Sequence, residues 1–257
     1  MLVATWNVNS IRARHERLIR WLANHQPDVL CLQEVKVEEK AFPFEAIREA
    51  GYNVEVFGQR TYNGVAILAK GEMTEVQKGF PKDAFDDQAR FIAATVNGVR
   101  VVSIYVPNGK VVGSESYEYK LRWLFQLKRF LEESEISSGD IIVCGDLNIA
   151  PNPGDVARPQ QWEGSVLYNP EMRSEFTELL ALGLADTIGK RFPDGGIYSW
   201  WDYQQLGFQL GNGLRIDHIL ASRGLAVRCT DAGVDREERK GKLPSDHAPV
   251  WAMFETT

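Results

Sequence analysis

The chain has 257 residues, and 29 Lys and Arg against 35 Asp and Glu give it a formal charge of −6 at pH 7. Hydrophobic residues make up 44% and charged residues 25% of the sequence, which excludes collagen-like, coiled-coil and intrinsically disordered chains. The net acidity argues against a protein that holds nucleic acid by charge alone.

From the sequence we expect neither a membrane span nor a secretory leader. No apolar run approaches the roughly 18 residues that a span requires, and residues 1–6 lack a basic region followed by an apolar stretch. The three cysteines predict free thiols in a reducing compartment, because two of them lie inside apolar runs. We expect a cytoplasmic protein with one domain over residues 1–257, because no repeat or linker divides the chain.

Short apolar runs rich in Val and Ile alternate with helical periodicity, which predicts an α/β fold. Helices are predicted at 14–24, at 116–133, and from the N-cap Asn169 to Leu182. The hairpin signal Asn97-Gly98 predicts antiparallel pairing, so the sheet is mixed rather than purely parallel. Strands are predicted at 2–6, 28–33, 65–69, 91–96, 99–106, 141–145, 215–221 and 248–254.

Five polar clusters lie inside these strands or at their ends. Such positions often build the sites of α/β proteins, because the strand fixes a side chain and the loop leaves it accessible. Taken singly, Glu34 also fits the first exposed residue after a strand, and Asp146 an Asx turn. The clusters are at 6–9, 32–34, 144–148, 215–218 and 245–247.

Asp217 interrupts an apolar run, and a buried carboxylate needs a partner. His247 is one of only four histidines and precedes a predicted strand. We therefore predict an Asp217–His247 hydrogen bond; the alternative for His247 is a surface loop. Asp246 is a poor partner, because adjacent residues in an extended chain point to opposite sides. His218 is interpreted as a packing histidine.

The residue types favour one kind of chemistry. Hard oxygen ligands such as Glu34 and Asn7 suit Mg²⁺, which is held by one or two carboxylates plus substrate phosphate oxygens. Zinc fits poorly, because the sequence has no HExxH and no CxxC. The motifs GxSxG, GxGxxG and GxxxxGK[ST] are also absent from the sequence. Of the reaction types considered, these residues fit metal-assisted phosphoester hydrolysis.

Six motifs resemble, in order, those of the exonuclease III family of apurinic/apyrimidinic (AP) endonucleases. They extend from Trp6 to Pro249, and six in the right order make a chance match very improbable. The resemblance implies a four-layer α/β sandwich, with two mixed β-sheets packed face to face, helices outside, and a site at one end of the sheets. The motifs are WNVN at 6–9, LQE at 32–34, YVPNG at 105–109, GDLN at 145–148, LRID at 214–217 and SDH at 245–247.

The resemblance also implies cleavage of DNA on the 5′ side of an abasic site, with Mg²⁺ as cofactor and Mn²⁺ as a substitute, leaving a 3′-hydroxyl. Glu34 would ligate the metal, with Asn7 and Asp246 nearby. Asp146 would orient or deprotonate the attacking water, and Asn148 would help to hold the water and the phosphate. The full metal set implied in this way is Asn7, Glu34, Asp146, Asn148, Asp246 and His247.

The remaining implied roles concern the phosphate. His247, oriented by Asp217, would stabilise charge on it. Tyr105 would hydrogen-bond a phosphate oxygen or assist the leaving group, and Asn108 would contact phosphate. The identity of the base and the number of metals stay open, because a protonated and a neutral His247 lead to different assignments.

Trp200 and Leu214 resemble the apolar pocket that AP endonucleases use for a flipped-out abasic sugar, which would make both DNA-binding residues. A Trp pair in an alternating run is otherwise more often core, and Trp201, on the opposite face, is predicted to be core. The expected partner is double-stranded DNA with abasic sites or blocked 3′ ends, bound by a monomer. 3′-Phosphatase, 3′-phosphodiesterase and 3′-5′ exonuclease activities are compatible with this site.

Two other functions are compatible with part of this interpretation. One is a phosphoesterase of the same fold acting mainly on a 3′ end or another phosphoester; the other is a non-catalytic DNA-damage binding paralogue. The role of the basic side chains also stays open, because each is equally compatible with a phosphate contact or a solvated helix face. The basic residues concerned are Arg12, Arg14, Arg17 and Arg20 after the first strand, and Lys120 and Arg122 in the long helix.

Overall fold

Two six-stranded sheets form the centre of the computed structural model, which describes residues 1–81, 86–134 and 139–255 apart from the side chain of Gln205. The strands of the first sheet are β1 (Leu2–Asn7), β2 (Val29–Gln33), β3 (Asn53–Phe57), β4 (Val65–Ala69), β11 (Cys229–Val234) and β12 (Val250–Phe254). Those of the second are β5 (Met73–Lys78), β6 (Phe91–Val96), β7 (Val99–Tyr105), β8 (Ile141–Asp146), β9 (Leu184–Asp186) and β10 (Asp217–Ser222).

The strand order is β11-β12-β1-β2-β4-β3 in the first sheet and β5-β6-β7-β8-β10-β9 in the second. Each sheet has a parallel pair at its centre, β1 with β2 and β7 with β8, and the other neighbours in the described chain are antiparallel. The predicted hairpin joins β6 to β7 through Asn97 and Gly98, both at positive φ. The mixed sheet is thus confirmed.

The sheets pack face to face and helices cover their outer faces. Cys31 and Ile67 of one sheet share a buried apolar cluster with Val101 and Cys144 of the other. The central strands are buried on both faces, which explains their uninterrupted apolar sequences. The helices are α1 (Ile11–His25), α2 (Phe44–Glu49), α3 (Glu115–Glu133), α4 (Pro159–Trp162), α5 (Pro170–Ala181), α6 (Thr187–Arg191) and α7 (Arg223–Ala226).

Separate outer clusters attach the helices, α1 and α2 to the first sheet, and α3 and α5 to the second. The predicted four-layer α/β sandwich is confirmed by this arrangement. Asn169 caps α5 as predicted, because its side chain accepts a hydrogen bond from the backbone N–H of Met172. All three cysteines are free, and no helix in the described ranges is long and apolar enough to cross a membrane.

Four strands were not predicted from the sequence, namely β3, β5, β9 and β11. These four are the edges of the two sheets. An edge strand is partly exposed and carries polar residues, so it lacks the apolar run by which a central strand is identified. β5 illustrates this, since none of its six residues is buried.

The topology brings the polar clusters to one end of the sandwich. β1 and β2 are parallel and end at one edge of the first sheet, and β7 and β8 likewise end at one edge of the second. These two edges meet, because Asn7 at the end of β1 donates to Asp146 at the end of β8. The antiparallel partners place their amino ends at the same edge: Asp217 pairs with Asp146, and Val250 with Thr5. A site built from both sheets follows from this strand order.

Candidate active site

Three predicted residues from both sheets form the centre of the site. One ligand atom each of Glu34, Asp146 and His247 lies within 4.8 Å of the others. Asn7 joins the two carboxylates, because its Nδ2 donates to Glu34 Oε1 at 2.8 Å and to Asp146 Oδ2 at 3.0 Å. This amide therefore bridges the ends of β1, β2 and β8.

Glu34 follows directly after β2 and has a φ of 51°. Its second oxygen, Oε2, pairs with Lys36 Nζ at 2.7 Å, and the same ammonium donates to Asn9 Oδ1 at 2.6 Å. Lys36 was not predicted as a site residue. Glu34 and Lys36 both have positive φ values, 51° and 55°.

Asp146 ends β8 and is buried. Its Oδ1 accepts a hydrogen bond from the Asn148 backbone N–H at 2.9 Å, which forms an Asx turn. Asp146 therefore forms the turn and also lies at the site. Burial raises the pKa of Asp146 to about 7; His247 and the Asn7 amide oppose that rise, while Asp217 and Glu34 reinforce it. Burial therefore disfavours the ionised form of Asp146, and the neighbouring carboxylates add to this effect.

The predicted Asp217–His247 hydrogen bond is confirmed, with 2.8 Å between Asp217 Oδ2 and His247 Nδ1. Ser199 Oγ donates to the same oxygen at 2.6 Å and accepts from two backbone N–H groups, those of Ile216 and Asp217. His247 Nε2 lies 3.7 Å from Asp146 Oδ2. The imidazole is therefore fixed between two carboxylates.

Charge around His247 determines its protonation state. Burial by itself lowers the pKa of His247, but Asp217 and Asp146 together raise it to about 10. Near neutral pH both ring nitrogens then carry protons: Nδ1 donates to Asp217 and Nε2 points toward Asp146. The structure favours the protonated alternative.

Tyr105 ends β7 beside this centre. Burial raises the pKa of Tyr105 well above its usual range, and Glu34 and Asp146 raise it further, so the hydroxyl stays a hydrogen-bond donor. The Arg90 guanidinium lies 4.6 Å from the Tyr105 ring centroid, and Arg90 Nη1 donates to the Tyr105 carbonyl at 3.2 Å. Sequence reasoning missed Arg90, which precedes β6 in a polar loop.

Asn148 and Asn108 form a pair at the rim. Asn108 Nδ2 donates to Asn148 Oδ1 at 3.0 Å, and Asn148 Nδ2 donates to the Val106 carbonyl at 2.9 Å. Asn108 is exposed whereas Asn148 is buried. The two amides present hydrogen-bonding groups next to Asp146.

Asp246 lies outside the cluster of Glu34, Asp146 and His247. Its Oδ1 accepts from Asn9 Nδ2 at 2.9 Å and its Oδ2 from Trp200 Nε1 at 3.0 Å. Both oxygens therefore already have protein partners. In this arrangement Asp246 orients Trp200 and the Asn9 loop, which places it around the centre rather than in it.

Trp200 lies at the site as predicted, with its ring centroid 6.4 Å from that of His247. Trp162 of α4 packs edge-on against it at 5.7 Å. With Val111 and Asn108, the two tryptophans line an open pocket of about 430 Å³. Leu214 has 0% of its surface exposed, so we assign it to support behind Trp200 in place of the predicted DNA contact.

Trp201 is core, as predicted, and so is His218. The His218 ring packs 4.8 Å from Phe176, Arg215 Nη1 lies 2.9 Å from its Nδ1, and its Nε2 lies 2.8 Å from the Ile149 carbonyl. Because a guanidinium only donates, Nδ1 accepts and Nε2 carries the proton. Arg215 is in turn paired with Asp155 at 2.7 Å and belongs to the scaffold.

The structure corrects the expectation for two basic residues. Arg17 is buried and pairs with Glu238 at 2.8 Å, and it also donates to the Lys242 carbonyl. Lys120 has 0% of its surface exposed. Neither side chain reaches a phosphate or forms a solvated face, because helical spacing alone does not show which loops later cover a helix.

The donor set fits a hard divalent cation. Glu34 and Asp146 offer carboxylate oxygens within 4.8 Å of each other, in a buried site that raises the pKa of Asp146. A dication would offset the negative charge of these carboxylates. Protonated His247 is a poor ligand and is better suited to interact with an anion.

Comparison with known proteins agrees with this geometry. Residues 4–247 match the family model of the Endonuclease/Exonuclease/phosphatase family. The chain is 37% identical over 266 residues to Exodeoxyribonuclease III of Haemophilus influenzae, covering 99% of this chain and 100% of that protein. It is similar to a solved structure of the 3′ phosphatase NExo from Neisseria bound to product DNA hairpin (TM-score 0.97, 40% identity, 100% of both chains). It is also similar to the AP endonuclease from Archaeoglobus fulgidus (TM-score 0.96, 38% identity, 100% of both chains). The chain belongs to the exonuclease III family of AP endonucleases, within the endonuclease/exonuclease/phosphatase superfamily.

Proposed function

We propose that this protein is a DNA-repair AP endonuclease that hydrolyses the phosphodiester 5′ to an abasic site. It acts as a monomer on double-stranded DNA and also removes groups that block 3′ ends. The observation that carries the proposal is the junction of the two sheets, where the Asn7 amide joins Glu34 to Asp146 and Asp217 holds His247 beside them. Hydrolysis of a phosphodiester requires an activated water, charge neutralisation and help for the leaving oxygen.

Asp146 activates the water in this proposal. A general base is most effective when its pKa lies near the working pH, and burial raises the pKa of Asp146 in that direction. The Asn148 N–H fixes one oxygen of Asp146 and the Asn7 amide contacts the other. The carboxylate is therefore oriented before substrate binds.

His247 neutralises charge on the phosphate. Its protonated Nε2–H faces the centre, while Asp217 holds Nδ1 and Ser199 holds Asp217. The imidazolium is thus preorganised, which is the property that makes such donors effective in a water-poor site. Tyr105, kept neutral, donates from the opposite sheet to a phosphate oxygen or to the leaving oxygen.

A divalent cation, Mg²⁺ or in its place Mn²⁺, supplies Lewis-acid stabilisation of the phosphate and leaving oxygens when bound. Glu34 and Asp146 would hold it with Asn7 nearby, and substrate oxygens and water complete the shell that Mg²⁺ prefers. Asn108, Asn148 and the face of Trp200 contact the nucleic acid.

A second candidate is supported by similarity. NExo from Neisseria is described in one solved structure as a 3′ phosphatase and in another as a 3′-5′ exonuclease, at 40% and 41% identity to this chain. The same residues serve this reaction, because a 3′-phosphate is also a phosphoester attacked by water. The two candidates thus differ in which substrate is cut fastest.

The first prediction concerns metal and substrate. With Mg²⁺ the protein should nick an abasic duplex, and excess EDTA should abolish nicking because the two carboxylates then lack their counterion. We would compare initial rates on an abasic duplex, a 3′-phosphate end and an undamaged end in parallel. Fastest cleavage of the 3′-phosphate would favour the second candidate, and cleavage unaffected by EDTA would contradict both.

The second prediction concerns Trp200. Trp200→Ala should lower kcat/KM on the abasic duplex by about tenfold to a hundredfold, because the pocket face and the indole hydrogen bond to Asp246 are lost. Trp200→Phe should recover part of the loss by restoring the ring. A rate on abasic DNA equal to wild type in Trp200→Ala would show that this face does not select the substrate.

A further inference from the structure

Lys120 of α3 is a buried cation that no role described above uses. With 0% of its surface exposed, its Nζ donates to the carbonyls of Asn148 and Val166, both at 2.7 Å, and of Asn108 at 3.3 Å. The three acceptors belong to three separate loops at the active-site end. One buried side chain therefore connects the loop after β7, the loop after β8 and the loop before α5.

The number of acceptors fixes the charge of this group. Burial lowers the pKa of Lys120 to about 7, and Asp146 opposes that shift. Three carbonyl oxygens can all be satisfied only by three N–H donors, which the ammonium form alone provides. Loss of the proton would leave a buried carbonyl unpaired, so the geometry favours the charged form.

The carbonyls that Lys120 holds belong to two residues of the proposed site. Asn148 has a φ of 52°, its backbone N–H orients Asp146, and its side chain pairs with Asn108 at 3.0 Å. The Asn108 loop also packs on the lysine stem, since a Cβ at Gly109 would lie 3.2 Å from Lys120 Cδ. Displacement of Nζ would thus disturb both amides and the carboxylate together.

We propose that Lys120 is a positioning residue, which sets the Asn108–Asn148 pair and the orientation of Asp146 without touching DNA. This inference rests on the proposed nuclease function. It assigns Lys120 a positioning role, whereas the sequence pattern was compatible with a phosphate contact or a solvated helix face. A misplacement of about 1 Å in such a group is enough to cost 10²-fold in rate.

The third prediction tests this role. Lys120→Met should lower kcat on the abasic duplex by about tenfold to a hundredfold and leave KM within about twofold. The salt dependence of DNA binding should keep its slope, because no phosphate contact is lost. Lys128→Met is the matched control: it lies on the same helix, paired with Glu175 and Glu178, and should retain wild-type kcat, KM and slope.

Two further variants separate positioning from general packing. Lys120→Arg keeps the charge and the donors, and should recover most of the lost kcat. In an Asn108→Ala background, Lys120→Met should lower kcat by a smaller factor than in wild type, because part of its effect is the displacement of the Asn108 amide. A salt slope reduced by about one with kcat unchanged would overturn the proposal, as would fully additive effects in the double mutant.

If Lys120→Met fails to fold, Lys120→Gln is tested in its place, since it keeps two N–H donors on a side chain that is one bond shorter. Hydrogen exchange then gives a readout independent of activity: amides in 106–110, 147–150 and 165–168 should exchange faster in Lys120→Gln than in Lys128→Met. Unchanged exchange in those loops would overturn the proposal. An inactive wild-type protein with faster exchange in the variant would instead refute the proposed function alone.

Discussion

Asp146→Asn should lower kcat on an abasic duplex by about 10³-fold to 10⁴-fold while the affinity for DNA stays within a few fold. The amide keeps the size of the carboxylate and can still accept from the Asn148 N–H, but it cannot take a proton from water. Removing a general base costs about 10²-fold to 10⁴-fold, and this residue also contributes charge to the proposed metal site. Single-turnover rates with saturating enzyme measure the effect directly.

The matched control for this prediction is Asp140→Asn. Asp140 precedes the same strand, β8, but at the end away from the site, where it pairs with Arg228. A partly exposed ion pair contributes little, so the variant should keep wild-type rates. A kcat for Asp146→Asn within tenfold of wild type would assign the base to another residue.

The wild-type rate should also rise with pH along an acid limb at or below about pH 7. The base must lose its proton, and burial raises the pKa of Asp146 to about 7. The carboxylate is therefore active above that pKa and protonated below it. A bound dication draws the limb to lower pH, because it favours the charged form. Asp146→Asn should lack this limb.

Several residues of the candidate site could be predicted from the sequence. Asp217 interrupted an apolar run, and from that one anomaly its hydrogen bond to His247 follows correctly. Glu34 and Asp146 were assigned to one site by the resemblance of their motifs to the exonuclease III family, and both lie there. A polar residue inside a buried central strand needs a hydrogen-bonding partner, so it stands out in the apolar sequence of that strand.

Other site residues left no such signal. Ser199 and Lys36 are common residue types in loops, and their partners Asp217 and Glu34 are reached only through the folded geometry. Lys120 showed helical spacing that is compatible with a surface, because the loops that bury it come from elsewhere in the chain. Local periodicity reports which face of an element is apolar, but it does not report what later covers its polar face.

A further prediction separates the charge of His247 from its position. His247→Gln should lower kcat by about 10²-fold to 10³-fold, the size expected when one preorganised donor to a developing charge is lost. Asp217→Asn should lower kcat by a comparable factor, because an amide can accept from the imidazole but lacks the negative charge that favours its protonated form. The double variant should be little worse than His247→Gln alone, since Asp217 acts through the imidazole.

The pH profile distinguishes this mechanism from a structural role. The imidazolium is active below its pKa and loses its proton above it, so wild type should show an alkaline limb near pH 10. Asp217 raises that pKa, and Asp217→Asn should therefore move the limb to lower pH. Breaking a buried pair also destabilises a fold, which thermal unfolding of the variant would report. Lower stability with an unmoved alkaline limb would mean that Asp217 supports the fold, and that His247 does not supply the positive charge.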